Sequence, residues 1–232
     1  MIIDCCDYFQ CYSILRSNEL TKFGLGSRTY GTSRYNSDCN NIVIVPDDTL
    51  FCFEEETENI YGDERIHSLK THYFPRVLRN GENDNDDIYM SFNTKMIRES
   101  DFNDMVLECF PLAIECLSLS KELADKNAGY FLSEKKKIMD SFSNYSLKFW
   151  NNSFENMKKT GKIDRKSLFN SIRLIDFATQ ILMCGYIFDF TSCRQLWIGL
   201  MMESEDVTDI DYIKVKYSQI RNTYMQKMIE YC

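Results

Sequence analysis

The chain changes period partway along, and that change limits the folds open to it. From Gly129 to the C-terminus apolar residues recur at helical spacing, predicting helices over 133–159, 164–184, 191–203 and 209–231. Gly185 follows one of these stretches and suits a helix stop, because glycine adopts the left-handed conformation that ends many helices. Before residue 100 the ordered-looking runs are short and β-branched or aromatic, predicting strands over 20–26, 41–45, 50–53 and 88–92. Two apolar helices, over 102–109 and 112–119, are expected to break near Pro111, and a further helix opens the chain over 5–17. Strands first and helices afterwards predict an α+β chain, with a small mixed-sheet lobe over 1–124 and a helical lobe over 125–232.

Inside the first lobe, Pro46-Asp47-Asp48 reads as a turn from which 50–53 returns as a hairpin strand. Residues 54–87 read as an acidic, irregular insertion whose one apolar knot is Tyr73-Phe74-Pro75. At 232 residues, 44% apolar and 27% charged, the chain can bury a core of ordinary size. No run approaches the roughly 18 uncharged apolar residues of a membrane span, and no basic-then-apolar leader opens the sequence. A cytoplasmic protein with no membrane and no disulfide partner is expected. The ten cysteines include no Cys-x-x-Cys pair, so they are read as reduced, core-filling thiols. His67 and His72 are the only histidines, which leaves Ser-His-Asp, Cys-His and zinc chemistry little to build on. The Asn-, Tyr- and Lys-rich, Pro-poor composition fits an AT-rich genome such as that of a phage or large virus.

The net charge of −8 argues against a general nucleic-acid coat, but it is unevenly spread. Residues 126–173 carry eleven Lys/Arg against four Asp/Glu, which leaves −15 for the remainder. A split of this kind marks either a face for an anionic partner or a solvated helix surface.

One stretch carries a chemical suggestion. Gly26-Ser27-Arg28-Thr29-Tyr30-Gly31-Thr32 follows the first strand, and Ser37-Asp38-Cys39-Asn40 enters the second. Backbone amides and a hydroxyl in a tight turn form a concavity for phosphate oxygens. Asp38 and Asn40, two residues apart on one strand, share a face, while Asn41 points to the other. Oxygen donors on that face suit Mg²⁺, a hard cation that bridges to substrate phosphates.

At these residues the chain resembles the polymerase-β-type nucleotidyltransferase superfamily, whose signature is Gly-Ser, a short spacer and Asp-x-Asp. The fuller string is similar to its RNA-ligase-associated branch of predicted nucleotidyltransferases. Phe131-Leu132-Ser133, Ser141-Phe142 with Tyr145, and the segment from Lys166 through Arg173-Leu174 to Gly185 extend the likeness over nearly the whole chain. The resemblance implies transfer of NMP from an NTP such as ATP to an acceptor hydroxyl, with release of pyrophosphate. It implies Mg²⁺ (or Mn²⁺) held by Asp38, by the residue at position 40, and by a third acid, for which Asp87 is the candidate and Asp86 the alternative. In this chain the family's second carboxylate is Asn40 and the family's His on the basic helix is Asn170. Catalysis is assigned on this basis to Asp38 and Asp87, and nucleotide binding to Gly26, Ser27, Arg28, Lys166, Asn170 and Arg173.

Lys166, Asn170 and Arg173 fall at i, i+4 and i+7 and so share one helix face, as a triphosphate clamp would need. A structural ion pair for Arg173 and plain solvent for Lys166 is the competing reading. The acceptor is open: an RNA end, a small molecule or a protein side chain. Two non-enzymatic readings stand beside the transferase. One is a degenerate member acting as a nucleotide-sensing or protein-binding module. The other is an inhibitory interaction protein that uses the acidic 54–87 segment.

Overall fold

The structure, a computed structural model, describes residues 2–3, 21–26, 29–32, 39–51, 62–73, 90–204 and 209–232. The expected helix over 5–17 lies outside those residues. The chain divides into two compact units, Met1–Asp104 and Met105–Cys232. It is an α+β chain, mostly helical, with a small mixed sheet.

The sheet is built from β2 (Lys22–Leu25), β3 (Cys39–Val45), β5 (His67–Tyr73) and β6 (Met90–Arg98), in the order β2-β3-β6-β5. β3 runs antiparallel to β2 and parallel to β6, and β5 closes the far edge antiparallel to β6. A central strand must be apolar on both faces, and β3 is: Ile42, Val43 and Val45 are all buried. β2, at an edge, alternates instead, with Phe23 and Leu25 buried and Gly24 exposed. Phe23 stacks on Phe102 of α1 (Glu99–Leu107) with ring centroids 6.0 Å apart.

Two expectations are corrected in this unit. Of the expected 50–53 strand, Leu50 and Phe51 do not return as a hairpin beside β3, and residues 52 and 53 lie outside the described residues. The short β4 (Leu50–Phe51) pairs in parallel with β1 (Ile2–Ile3), a partner that no local pattern reveals. The 54–87 segment is not irregular throughout, because β5 lies within it. Its sequence, HSLKTHY, has few apolar residues, and its order comes from pairing along seven residues with β6. β6 itself begins at Met90 and continues to Arg98, beyond the expected end at residue 92. The Pro46 turn forms as expected, with the Thr49 N–H donating to the Pro46 carbonyl at 3.1 Å.

The helical unit follows the sequence closely. α2 (Pro111–Ser118) has Pro111 in its first turn, where a missing N–H costs nothing, and the chain turns before it at Cys109 with φ 56°. The break expected near Pro111 is therefore a start. α3 (Lys121–Ser133), behind the Ser120 cap, is a helix that the expected set lacked. α4 (Lys135–Thr160), α5 (Arg165–Cys184), α6 (Arg194–Met202) and α7 (Ile210–Glu230) complete the unit. The caps are local chemistry: Asp164 accepts from Ser167 N–H and Asp209 from Tyr212 N–H, each at 3.0 Å.

α5 is the axis of this unit and packs against α3, α4, α6 and α7. Leu168, Ile172, Ile175, Phe177 and Ile181 are buried along its length. Gly185 ends it at φ 86°, with its N–H on the Ile181 carbonyl at 2.7 Å. A Cβ at Gly185 would lie 2.5 Å from the Ala128 carbonyl oxygen, so glycine serves both the turn and the close approach to α3. Among the described cysteines, Cys109, Cys116 and Cys193 are free thiols inside this core, while Cys184 and Cys232 are free and less buried. Burial pushes the Cys109 thiol up to about 11 and the Cys193 thiol up to about 12, so neither is a ready nucleophile. No helix among the described residues is long and apolar enough to cross a membrane.

Candidate functional site

β2 ends at Leu25, directly opposite Asn40 on β3. Gly26 then turns the chain at φ 99°, a conformation that L-residues rarely adopt. The Gly26 carbonyl accepts from Tyr30 N–H at 3.1 Å, and Thr29 Oγ1 donates back to the Gly24 carbonyl at 3.0 Å. Asn40 shares its strand face with Ile42 but stands half-exposed at the strand end. A Cβ on Gly26 would press on the Asn40 amide nitrogen and lie 3.2 Å from Asn40 Cβ and Cγ. The structure thus brings Gly26 and Asn40 into contact through two independent constraints, dihedral and steric.

Ser27, Arg28, Asp38, Asp86 and Asp87 lie outside the described residues. Asn40 is paired across the parallel ladder with Asn93, and β6 reads MSFNTKMIR, with no carboxylate. β5 contributes none either. Among the described residues no group of three His, Cys, Asp or Glu could hold a metal ion. Asn40 supplies a neutral amide oxygen, which is a weaker donor to a hard cation than a carboxylate.

The polar face of α5 divides along its length. Lys166 is exposed near the N-terminus, Asn170 is 9% exposed one turn on, and Arg173 is 3% exposed. Arg173 Nη1 lies 3.1 Å from Glu115 Oε2, and the guanidinium carbon sits 4.9 Å from the centre of the Phe177 ring. The Glu115 side chain is fully buried. A guanidinium leaves water at considerable cost unless its charge is met, and Glu115 meets it from α2. Glu115 was not among the residues singled out from sequence, although it is the one charge in the otherwise apolar run PLAIECLS.

A second polar cluster went unread as well. Gln180 Nε2 donates to Asp176 Oδ2 at 2.8 Å, to the Asp189 carbonyl at 3.0 Å and to Ser192 Oγ at 3.1 Å. Its Oε1 accepts from the backbone N–H groups of Phe188 and Asp189 at 3.0 and 2.9 Å. Ser192 Oγ closes the ring by donating to Asp176 Oδ2 at 2.5 Å. One buried amide therefore satisfies the turn between α5 and α6, which gives Gln180 a structural task.

Comparison of the chain with protein-family models, with curated proteins and with solved structures finds no match in any of the three.

Proposed function

We propose that the chain is a metal-dependent nucleotidyltransferase, transferring NMP from an NTP to an acceptor hydroxyl on an RNA end, a small molecule or a protein, at a rate limited by Asn40. The observation that carries this reading is the turn at Gly26 packed on Asn40: a glycine whose positive φ strains any other residue, at the end of one strand, against the side chain of the next. Such a turn, followed by Ser27 and Arg28, suits a triphosphate because successive backbone N–H groups there favour negative charge.

On this reading the acceptor oxygen attacks the α-phosphorus. The new P–O bond forms as the α–β bridging bond breaks, pyrophosphate departs and the hydroxyl proton passes to a carboxylate or to solvent. Mg²⁺ or Mn²⁺ would supply charge neutralisation at the phosphates when bound by Asp38, Asn40 and Asp87. Asn40 orients through its amide oxygen without adding charge. Lys166 is the exposed cation that the resemblance assigns to phosphate.

A second reading is favoured by Arg173. Its charge is met inside the helical unit by Glu115, and Asn170 is buried where the resemblance implies a His. Both fit a degenerate member that binds a nucleotide or a protein without transfer. Pyrophosphate release, measured with the four NTPs and a panel of RNA acceptors, separates the two. Asn40→Asp is expected to raise Mg²⁺-dependent NTP affinity and, in a slow enzyme, turnover as well. Clear NTP binding with no turnover in either protein establishes the second reading.

A further inference from the structure

In the helical unit, three arginines are wholly or partly withdrawn from water, and they are treated differently. Arg173 is paired with Glu115. Arg165 donates from Nε and Nη2 to the carbonyls of Leu200 and Glu203 at 2.9 and 2.7 Å, where the end of α6 offers partial negative charge. Arg221 on α7 has no carboxylate partner among the described residues. Its Nη2 donates to Ser146 Oγ of α4 at 3.1 Å, and its guanidinium carbon lies 5.7 Å from the centre of the Trp150 ring. Ser146 spends its own proton on the Ser171 carbonyl of α5 at 2.6 Å, so it meets Arg221 as a neutral acceptor. Arg221 Nε is buried and meets no acceptor among the described residues. Burial alone pushes the Arg221 guanidinium below its usual range, with no neighbouring acid acting to restore it.

A half-buried guanidinium without a counter-charge is costly to keep, because Arg is almost never neutral and its desolvation goes uncompensated. Among the described residues a ring and a hydroxyl hold it in place, and neither meets its charge. We propose that Arg221, braced by Ser146 and Trp150, anchors an oxyanion-binding site that takes a phosphate group. The net charge of the helix that braces it favours phosphate over a carboxylate. α4, which supplies both braces, carries six Lys against two acids, and a positive field of this kind selects a multiply charged anion. The planar fork of Arg matches two phosphate oxygens, and the Trp150 ring, its centre 5.7 Å from the guanidinium carbon, helps to hold the fork in place. The phosphate is that of a free anion or of a nucleic-acid backbone. The proposal does not depend on transferase activity, nor on the turn at Gly26.

The test uses the full chain. Thermal unfolding and Trp fluorescence are followed while inorganic phosphate, pyrophosphate or a short oligoribonucleotide replaces chloride at constant ionic strength. Wild type is expected to melt higher with the oxyanion and to change its emission, since Trp150 lies beneath the guanidinium. Arg221→Met in chloride is expected to melt at or above wild type, because an uncompensated charge has been removed, and to lose the oxyanion-dependent rise. Affinity is expected to fall on the order of 10- to 100-fold, the weight of a charge-assisted hydrogen bond. Arg221→Gln, shorter than Arg but polar and uncharged, decides the matter if the Met variant does not fold. A rise with pyrophosphate alone identifies the free anion, and a rise with the oligoribonucleotide as well identifies a backbone phosphate. The proposal is overturned if wild type shows no oxyanion-dependent rise, or if Arg221→Gln retains it.

Discussion

The turn at Gly26 and the polar face of α5 were both legible as spacing patterns, and the folded chain treats them in opposite ways. At Gly26 the pattern is a backbone requirement: a positive φ and a close approach to Asn40 favour glycine. On α5 the pattern is a set of side chains, and the fold divides them, leaving Lys166 in water and drawing Arg173 inside onto Glu115. A motif written in backbone geometry carries its structure with it. A motif written in residue type and helical spacing names a face, and only the rest of the fold decides whether that face meets solvent. Residues on one stripe of α5 can therefore be core at one end and surface at the other.

The most disruptive way to probe this contrast is at the buried pair. Removing either partner strands the other charge, so Arg173→Ala and Glu115→Ala are each expected to cost about 3–5 kcal/mol, read as a fall in the urea midpoint of unfolding. The double variant Glu115→Leu/Arg173→Met should recover most of that loss, because an apolar pair of similar volume leaves no charge behind. The contrast breaks if Arg173→Ala keeps its urea midpoint and instead loses about 1.5–3 kcal/mol of NTP affinity by calorimetry, the weight of a hydrogen bond to a charged group. Arg173 would then be a ligand contact, as the resemblance implies.

What the sequence disclosed follows the same division. α4, α5, α6 and α7 start and stop within a few residues of expectation, because helix periodicity and caps such as Asp164, Asp209 and Gly185 are local signals. β5 escaped because an edge strand with few apolar residues is specified by its neighbour β6, far along the chain. The pairing of β4 with β1 is likewise long-range. Glu115 left a faint signal, a lone acid in an apolar run, and Arg221 none, being one of four bases on its helix. What each one meets is decided by tertiary packing. Gly26 and Asn40 were each singled out from sequence, Gly26 for phosphate and Asn40 for the metal, but their contact is set by the pairing of β2 with β3.

At the turn the expected effect is smaller. Gly26→Ala forces an L-residue into the left-handed region and pushes its Cβ onto the Asn40 amide, a strain of about 1–3 kcal/mol. Shortening the neighbour in Gly26→Ala/Asn40→Gly should relieve the steric part and leave the dihedral part. A double-mutant cycle in urea is therefore expected to show coupling between positions 26 and 40. Strict additivity would mean that Asn40 only lies nearby, and the turn would then rest on its dihedral alone.

The mildest probe is a titration in the sheet unit, where the turn after β3 caps a helix distant in sequence. Asp47 Oδ1 accepts from Ser100 N–H in the first turn of α1 at 2.8 Å. The hydrogen bonds from Ser100, first the backbone one, hold the Asp47 carboxyl below its usual range, with Arg98 adding to the effect and burial opposing it. A carboxyl whose folded pKa is depressed binds its proton less readily folded than unfolded. Its contribution is therefore present in full above the ordinary Asp value near 4 and is lost as pH falls through the folded value. Asp47→Asn keeps an oxygen acceptor for Ser100 but cannot titrate. It should unfold with a shallower dependence on pH than wild type below about pH 4, and the two curves should run parallel above about pH 6. Asp47→Ala removes the acceptor as well, and should lie below both at neutral pH. If the acid limbs of wild type and Asp47→Asn coincide, Asp47 is only a surface carboxylate, and the turn after β3 does not tie α1 to the sheet through charge.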